Sequence, residues 1–390
     1  MLQWAREEAG YTQEEAAHLM DVSTAKLRAW EMPGAIQPTL RQAERLAKIC
    51  DFAFSIFSLP APPQLPALAT EYRRLPGVRP GAEAPELRRV VKRLVYRRRV
   101  ALHLYAELGD DPPEFSFRPT LSEDAETVGQ GLRQALSVSL SEQFGWSSEF
   151  VAYRTWRAGV EGMGILVSQF PGKGVPDVRG TSIVHFPLPV VALNSKELPL
   201  SKPFTLLHEV VHLGLVASDE EKPALDERRD EPSWLEVERF CEAAAGAALM
   251  PADALLADED VVSQKRARSW DVHQMRQTAR RFRVTPTAAA TRLLRLGAMT
   301  PRAYAAWKES WQAYRDAHPE KPGFGRSTPA ERAVGRNGPL FTSLVLSALS
   351  NDRITSTNAS HYLDLGFAHV EDLRRSWIDA PLAFASAIAD

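Results

Sequence analysis

The chain has 390 residues, 44% of them hydrophobic and 25% charged, enough for two or three domains that each bury a core. A formal net charge of −2 excludes a global electrostatic pull toward nucleic acid or acidic membranes, so any such affinity has to come from local charge asymmetry. With only Cys50 and Cys241 there is no disulfide framework, which suits a reducing cytoplasm.

The N-terminal stretch MLQWAREEAGYTQEEAAHLM carries acids early and lacks a signal-peptide core. No apolar run along the chain approaches the roughly 20 residues of a membrane span. A cytoplasmic location with no membrane partner is expected. LQWAREEAG ends on Gly10, a natural helix stop, and Thr12 then caps QEEAAHLM, with Glu15 completing a capping box. After the turn DVS, Ser23 or Thr24 caps AKLRAWE. Past MPGAIQP comes TLRQAERLAKIC, with Leu40, Ala43, Leu46, Ala47 and Cys50 on one face. Helix, short turn, helix is the helix-turn-helix pattern, with TAKLRAWE in the recognition position. LPAPPQLPALA (59–69) is Pro-rich and reads as linker.

A long helix is predicted from Pro85 to Leu108, with Leu87, Val90, Val91, Leu94 and Val95 as its buried stripe. It carries Arg88, Arg89, Lys92, Arg93, Arg97, Arg98 and Arg99 against Glu86 and Glu107. A second helical stretch covers about 122–142. Strand-like runs follow at 162–170, 181–188 and 189–194, separated by Gly- and Pro-bearing turns. Next come KPFTLLHEVVHLG (202–214), a charged loop (219–233), and the helix WLEVERFCEAAAGAALM, stopped by Pro251. Residues 270–296 read as helical, with Val284-Thr285-Pro286 as a break that makes 272–296 a second hairpin of helix-turn-helix type. The tail reads as helices around RITSTNASHYL, either a cap over the preceding domain or an interaction surface.

His208-Glu209-Val210-Val211-His212 fits His-Glu-x-x-His. Residues four apart share a helix face, so both imidazoles can meet one cation. Zn²⁺ accepts neutral imidazole nitrogens, and a catalytic site leaves a position open for water. Glu209 would be the general base that takes a proton from the attacking water. The competing reading is a core helix with an ordinary histidine pair. A third ligand from a separate element would decide for the metal, and the following helix offers Glu236, Glu238 and Glu242. Glu238 and Glu242 share a face with small residues that allow close helix packing, where a carboxylate is costly unless paired or metal-bound. Glu236 lies off that face, in solvent. For the oxyanion, His185, His273 and Tyr304 are candidates among which the sequence does not choose.

The order of strand, Asn194, KPFTLLHEVVH, acidic loop and EVERFCEAAAGAALMP resembles the ImmA/IrrE family of bacterial metallopeptidases over about 160–300. The resemblance implies His208 and His212 as ligands, Glu209 as catalytic acid/base, and Glu238, thirteen before Pro251, as third ligand. Lys202 stands near the place of the family's usual Arg, and Glu242 replaces an Asn. Two arrangements are therefore open, Glu238 alone on the metal or a Glu238/Glu242 pair. Zn²⁺ suits a His₂Glu set, and Mn²⁺ with extra water ligands also fits. The fold implied is α+β and mostly helical. It comprises a helix-turn-helix bundle of the repressor (Xre) type (1–60), a linker (61–84), a minimal zincin-like metallopeptidase domain with a short twisted sheet packed on helices (85–300), and a helical C-terminal region (301–390). The function implied is site-specific cleavage of a repressor-type, helix-turn-helix protein that relieves gene silencing, in stress response or mobile-element control. The alternative is a DNA-binding regulator or antitoxin-like module whose metallopeptidase fold is a sensor or inactive.

In the N-terminal domain, Gln13 opens the second helix, and Thr24, Lys26 and Arg28 lie on the reading helix, where they would contact DNA or a partner protein. Residues 1–60 nevertheless hold six basic against eight acidic side chains, and DNA affinity comes chiefly from neutralised phosphates. Either the basic helix 88–99 supplies the phosphate contacts, or the domain docks a partner of similar fold. That basic stripe can also be a solvated face whose Arg stems cover apolar surface.

Overall fold

The computed structural model describes residues 1–32, 34, 36–63, 85–172, 178–219, 232–319 and 327–379. Most of the expected linker (64–84) and of the charged loop (220–231) lies outside the described residues. Among the described residues, no helix is long and apolar enough to cross a membrane.

Four short helices form the N-terminal bundle: α1 (Leu2–Glu8), α2 (Gln13–Met20), α3 (Thr24–Glu31) and α4 (Leu40–Ile49). The Thr12/Glu15 capping box starts α2, and Ser23, rather than Thr24, caps α3. Ala5, Ala16, Leu27, Trp30, Leu46 and Cys50 make its core. The next helix, α5 (Pro85–Leu108), fastens this bundle with its basic side chains. Arg88 donates to the carbonyls of Glu7 and Glu8, and Arg89 to the carbonyl of Ile49 at 2.8 Å and to the Tyr11 hydroxyl. Those carbonyls end α1 and α4, where no intrahelical donor remains and the helix dipole is negative. Lys92 pairs with Glu8 at 3.6 Å and lies over the Phe52 ring. Further along, Arg98 donates to the carbonyls of Pro187 and Leu188.

The sheet has three strands, β1 (Leu166–Phe170), β2 (Gly180–Ile183) and β3 (Val190–Asn194), in the order β1-β3-β2. Central β3 runs parallel to β1 and antiparallel to β2, which is an edge. The strands are shorter than the sequence suggests. Residues 184–189 turn through Phe186-Pro187, and neither Pro187 nor Pro189 has an N–H to give a ladder. Ahead of the sheet, the expected stretch 122–142 divides into α6 (Ala125–Ala135) and α7 (Leu140–Gly145), with Ser137 at φ 55° between them. Helix α8 (Glu149–Gly162) is an element the sequence reading does not anticipate. Its Ala152, Tyr153, Trp156 and Val160 are buried at helical spacing.

Alternation along the strands gives each sheet face its own helical layer. Val167, Val191 and Leu193 face a core shared with α8, α9 (Lys202–Ala217) and α10 (Pro232–Leu249). The same core continues through α11 (Ala252–Leu256), α12 (Glu259–Ala267), α13 (Val272–Arg281), α14 (Pro286–Arg295) and Trp307 of α15 (Pro301–Ala317). Leu166, Phe170, Ile183, Val190 and Ala192 face the other core. It is built with α5 and the C-terminal helices α16 (Pro329–Asn337), α17 (Pro339–Ser350), α18 (Ser356–Leu363) and α19 (Phe367–Asp379). No core boundary therefore falls at residue 300: the C-terminal helices cover one face of the sheet.

A buried pair ties that layer to the sheet. Arg157 reaches the carbonyls of Val167 and Gly335, and its Nε lies 3.5 Å from Glu161, which in turn accepts from the Leu340 N–H. Gly338, at φ 96°, lets the α16–α17 turn come so close that a Cβ would stand 2.4 Å from the Val167 carbonyl oxygen. Burial pushes the Glu161 carboxyl up to about 7, outweighing the pull of Arg157. Between the ordinary carboxyl range and pH 7 the folded chain therefore holds a proton that the unfolded chain releases, and stability falls as pH rises through that window. Glu161→Gln should remove this slope, read as the difference between urea unfolding free energies at pH 5 and pH 8. On the other side, α6 packs against α10 so closely that a Cβ on Gly129 would stand 2.5 Å from that of Ala247 and 2.8 Å from the Ala244 carbonyl oxygen. Gly129→Ala should cost about 1–3 kcal/mol of overpacking in denaturant unfolding.

Candidate metal centre

Helix α9 is buried almost all round. Leu206, Leu207, Val210, Val211, Leu213 and Leu215 are each 0% exposed, so it is a core helix and not a surface one. In that setting polar side chains need partners, and each has one. Lys202 opens the helix, donates to Gln169 Oε1 at 3.1 Å and lies over the Tyr153 ring. Burial, reinforced by Arg157 and opposed by Glu197, lowers its ammonium to about 8. Thr205 donates to Glu197 at 2.7 Å, and burial raises that carboxyl. Glu209, 5% exposed, accepts from the hydroxyl of Ser182 on β2 at 2.9 Å.

The two histidines turn toward α10. His208 Nε2 and His212 Nε2 stand 3.1 Å apart. Glu238 Oε2 is 3.4 Å from His208 Nε2, and its Oε1 is 3.5 Å from His212 Nε2. One ligand atom from each residue falls within a span of 4.8 Å, and this is the group of three such residues found among the described ones. The spacing fits a cation: two atoms bound at about 2.0–2.1 Å and a tetrahedral angle stand roughly 3.3–3.4 Å apart. The donor set fits as well, since two imidazoles and a carboxylate suit Zn²⁺. His212 is fully buried, while His208 and Glu238 are partly open, so the cluster has a wall on one side and access on the other. The Phe204 ring, one turn earlier on α9, stacks on His208 at 6.3 Å.

The remaining sequence candidates lie elsewhere. Glu242, one turn beyond Glu238, is ion-paired with Arg295 of α14 and does not belong to the cluster. The arrangement seen is thus Glu238 alone with the histidines; a cation partner on a neighbouring helix draws the second carboxylate away. Glu236 is exposed. His185 lines a recess of about 220 Å³ beside α5 with Arg98, Arg99 and Phe186. His273 sets its ring edge on Tyr314, and Tyr304 meets the Thr291 hydroxyl. In the bundle, Gln13 bridges Arg28 and Glu31, Glu31 also holds Arg6 at 2.6 Å, and Lys26 lies over Trp30. Thr24 is half-buried at the start of α3.

Ser182 and Gly180 are the site neighbours that sequence reasoning misses. The available signal is strand alternation, which puts both on one face of β2, although which face meets the helix is a tertiary fact. For the ligand set, His212→Ala should lose tight zinc binding, whereas Glu242→Ala should retain one zinc per chain with affinity within about threefold of the unaltered protein, because a residue outside the ligand set acts only indirectly. Zinc titration calorimetry and elemental analysis of the purified variants check both.

Comparison of the whole chain with curated proteins gives no match. Residues 160–294, from the end of α8 through the sheet, α9, α10 and on to α14, match the family described as Peptidase_M78, the IrrE N-terminal-like domain. That span contains the histidine pair, Glu209, Glu238 and the edge strand that touches Glu209. The match over residues 160–294 supports the resemblance to the ImmA/IrrE family of metallopeptidases for that part of the chain.

Proposed function

We propose that the protein is a zinc-dependent endopeptidase that cleaves a repressor-type, helix-turn-helix protein and thereby regulates transcription. The observation that carries this reading is the convergence of His208, His212 and Glu238 within 4.8 Å beside the buried Glu209. A divalent cation held by those three residues supplies Lewis-acid polarisation of a peptide carbonyl and of water. Glu209 takes the proton of the attacking water and delivers it to the departing amine nitrogen. His208 and His212, fixed one turn apart on a core helix, and Glu238, brought from α10, keep the ligand atoms in place through the cycle. Zn²⁺ is the cation of choice for this set, with Mn²⁺ as the other metal the donors accept.

The N-terminal bundle supports a protein rather than DNA as what the domain meets. Three of its six basic side chains are engaged within the fold, Arg6 and Arg28 through the Gln13/Glu31 network and Arg45 on the Leu19 carbonyl. Arg88, Arg89 and Lys92 of the basic helix hold the bundle itself. With eight acidic side chains against six basic ones, the bundle has a charge deficit that weighs against tight binding to DNA. A bundle of repressor type suits docking of a substrate with a similar fold.

Co-expression with candidate helix-turn-helix repressor proteins tests the reading. The unaltered chain should yield a discrete repressor fragment whose new terminus is identified by sequencing. Glu209→Gln should keep one zinc and the same unfolding midpoint but cut at least about 10²-fold more slowly, the contribution expected of a general base. Specific operator binding at physiological salt, with no cleavage by the zinc-loaded protein, would overturn the proposal.

A further inference from the structure

Resting on the peptidase reading of Glu209, we propose that Ser182 is a positioning residue which sets the orientation of that carboxylate from the edge strand. The Ser182 hydroxyl is 0% exposed and donates to Glu209 Oε2 at 2.9 Å. Glu209 is itself 5% exposed, so its carboxylate needs a donor to offset its loss of water.

Packing holds the stem of this side chain, and hydrogen bonding, here from Ser182, holds its end. The terminal torsion of a glutamate is broad and roughly two-fold, so a carboxylate fixed only by its methylenes still rotates. A hydrogen bond to one oxygen removes that freedom and leaves the other oxygen with a defined direction. A general base needs such a direction, because its oxygen must lie within hydrogen-bond reach of the proton it takes.

The strand is shaped for this contact. Gly180, two residues before Ser182 and so on the same side of β2, packs against the same part of α9. A Cβ at Gly180 would stand 2.8 Å from Thr205 Cγ2 and 3.3 Å from Glu209 Oε1. Thr205 cannot easily give way, since its hydroxyl is held by Glu197 at 2.7 Å. Absence of a side chain at 180 therefore lets the strand approach, and a short hydroxyl at 182 spans the distance that remains. β3 backs the arrangement from the other side, pairing Gly180 with Leu193 and Ser182 with Val191.

The test uses the full zinc-loaded chain and acetohydroxamate, a small zinc-directed ligand whose acidic proton a neighbouring base accepts. Ser182→Ala should keep one zinc per chain and an unfolding midpoint close to that of the unaltered protein. Acetohydroxamate should bind about tenfold more weakly by calorimetry, the loss expected for one hydrogen bond to a charged group. With a cleaved repressor substrate, kcat should fall by a similar factor or more while KM stays put. Added to Glu209→Gln, the same substitution should change acetohydroxamate binding by less than about twofold, since its effect passes through the carboxylate. Acetohydroxamate affinity and kcat both within about twofold of the unaltered protein would overturn the proposal, as would an equal loss in the Glu209→Gln background. If the unaltered chain cleaves nothing yet the acetohydroxamate cycle shows coupling, the endopeptidase reading falls while the positioning role of Ser182 stands.

Discussion

The site depends on how closely α10 can lie against its neighbours. A carboxylate has to reach two imidazoles from a different helix, and a slip of one helical turn, about 5.4 Å, would carry Glu238 out of range. Two features hold the helix in place. Gly129 of α6 removes the side chain that would separate it from Ala244 and Ala247. At the far end, Arg133 donates to the Ala248 carbonyl, Gln143 to that of Leu249 and Arg292 to that of Met250. Pro251 stops the helix there, so these buried polar groups satisfy carbonyls that would otherwise have no donor. The ligand is positioned from the end of its helix as much as from its side.

Around the cluster, charge is managed by burial more than by exposed ion pairs. Lys202 and Glu197 flank the start of α9, each shifted toward its neutral form by loss of water. Glu161 behaves similarly where α8 meets the α16–α17 turn. Such groups are costly unless their hydrogen bonds are met, so each ties down what it touches: the side chains of Gln169 on β1 and Thr205 on α9, and the main-chain N–H of Leu340 on α17. The thin sheet, only three strands wide, is thus pinned to its helices by polar contacts as well as by apolar packing.

Much of this was legible in the residues. The Thr12/Glu15 box, the four-residue spacing of His208 and His212, and Glu238 ahead of Pro251 are local signals, and local signals survive into the fold. What escaped was decided at a distance. The turn through Pro187 shortened two expected strands, and α8 was hidden because its aromatic and β-branched residues weaken a helical reading. Glu242 and Glu238 are alike in sequence, and only the position of Arg295, 53 residues on, separates them. Ser182 carries no motif at all; its meaning comes from the helix that β2 happens to touch. The C-terminal helices, similarly, are apolar enough to announce a core but not to say that it is the same core as that of α5.

The grip of α5 on the N-terminal bundle has a consequence for how the two can diverge. Arg88 and Arg89 hold main-chain oxygens at the ends of α1 and α4. Every helix that ends at that place offers the same acceptors whatever residues it is made of. That part of the joint is therefore indifferent to side-chain identity, whereas Tyr11, Glu8 and Phe52 are the bundle side chains on which the rest of it depends. Away from those three residues the outward face of the bundle can change without disturbing its attachment to the body that carries His208, His212 and Glu238.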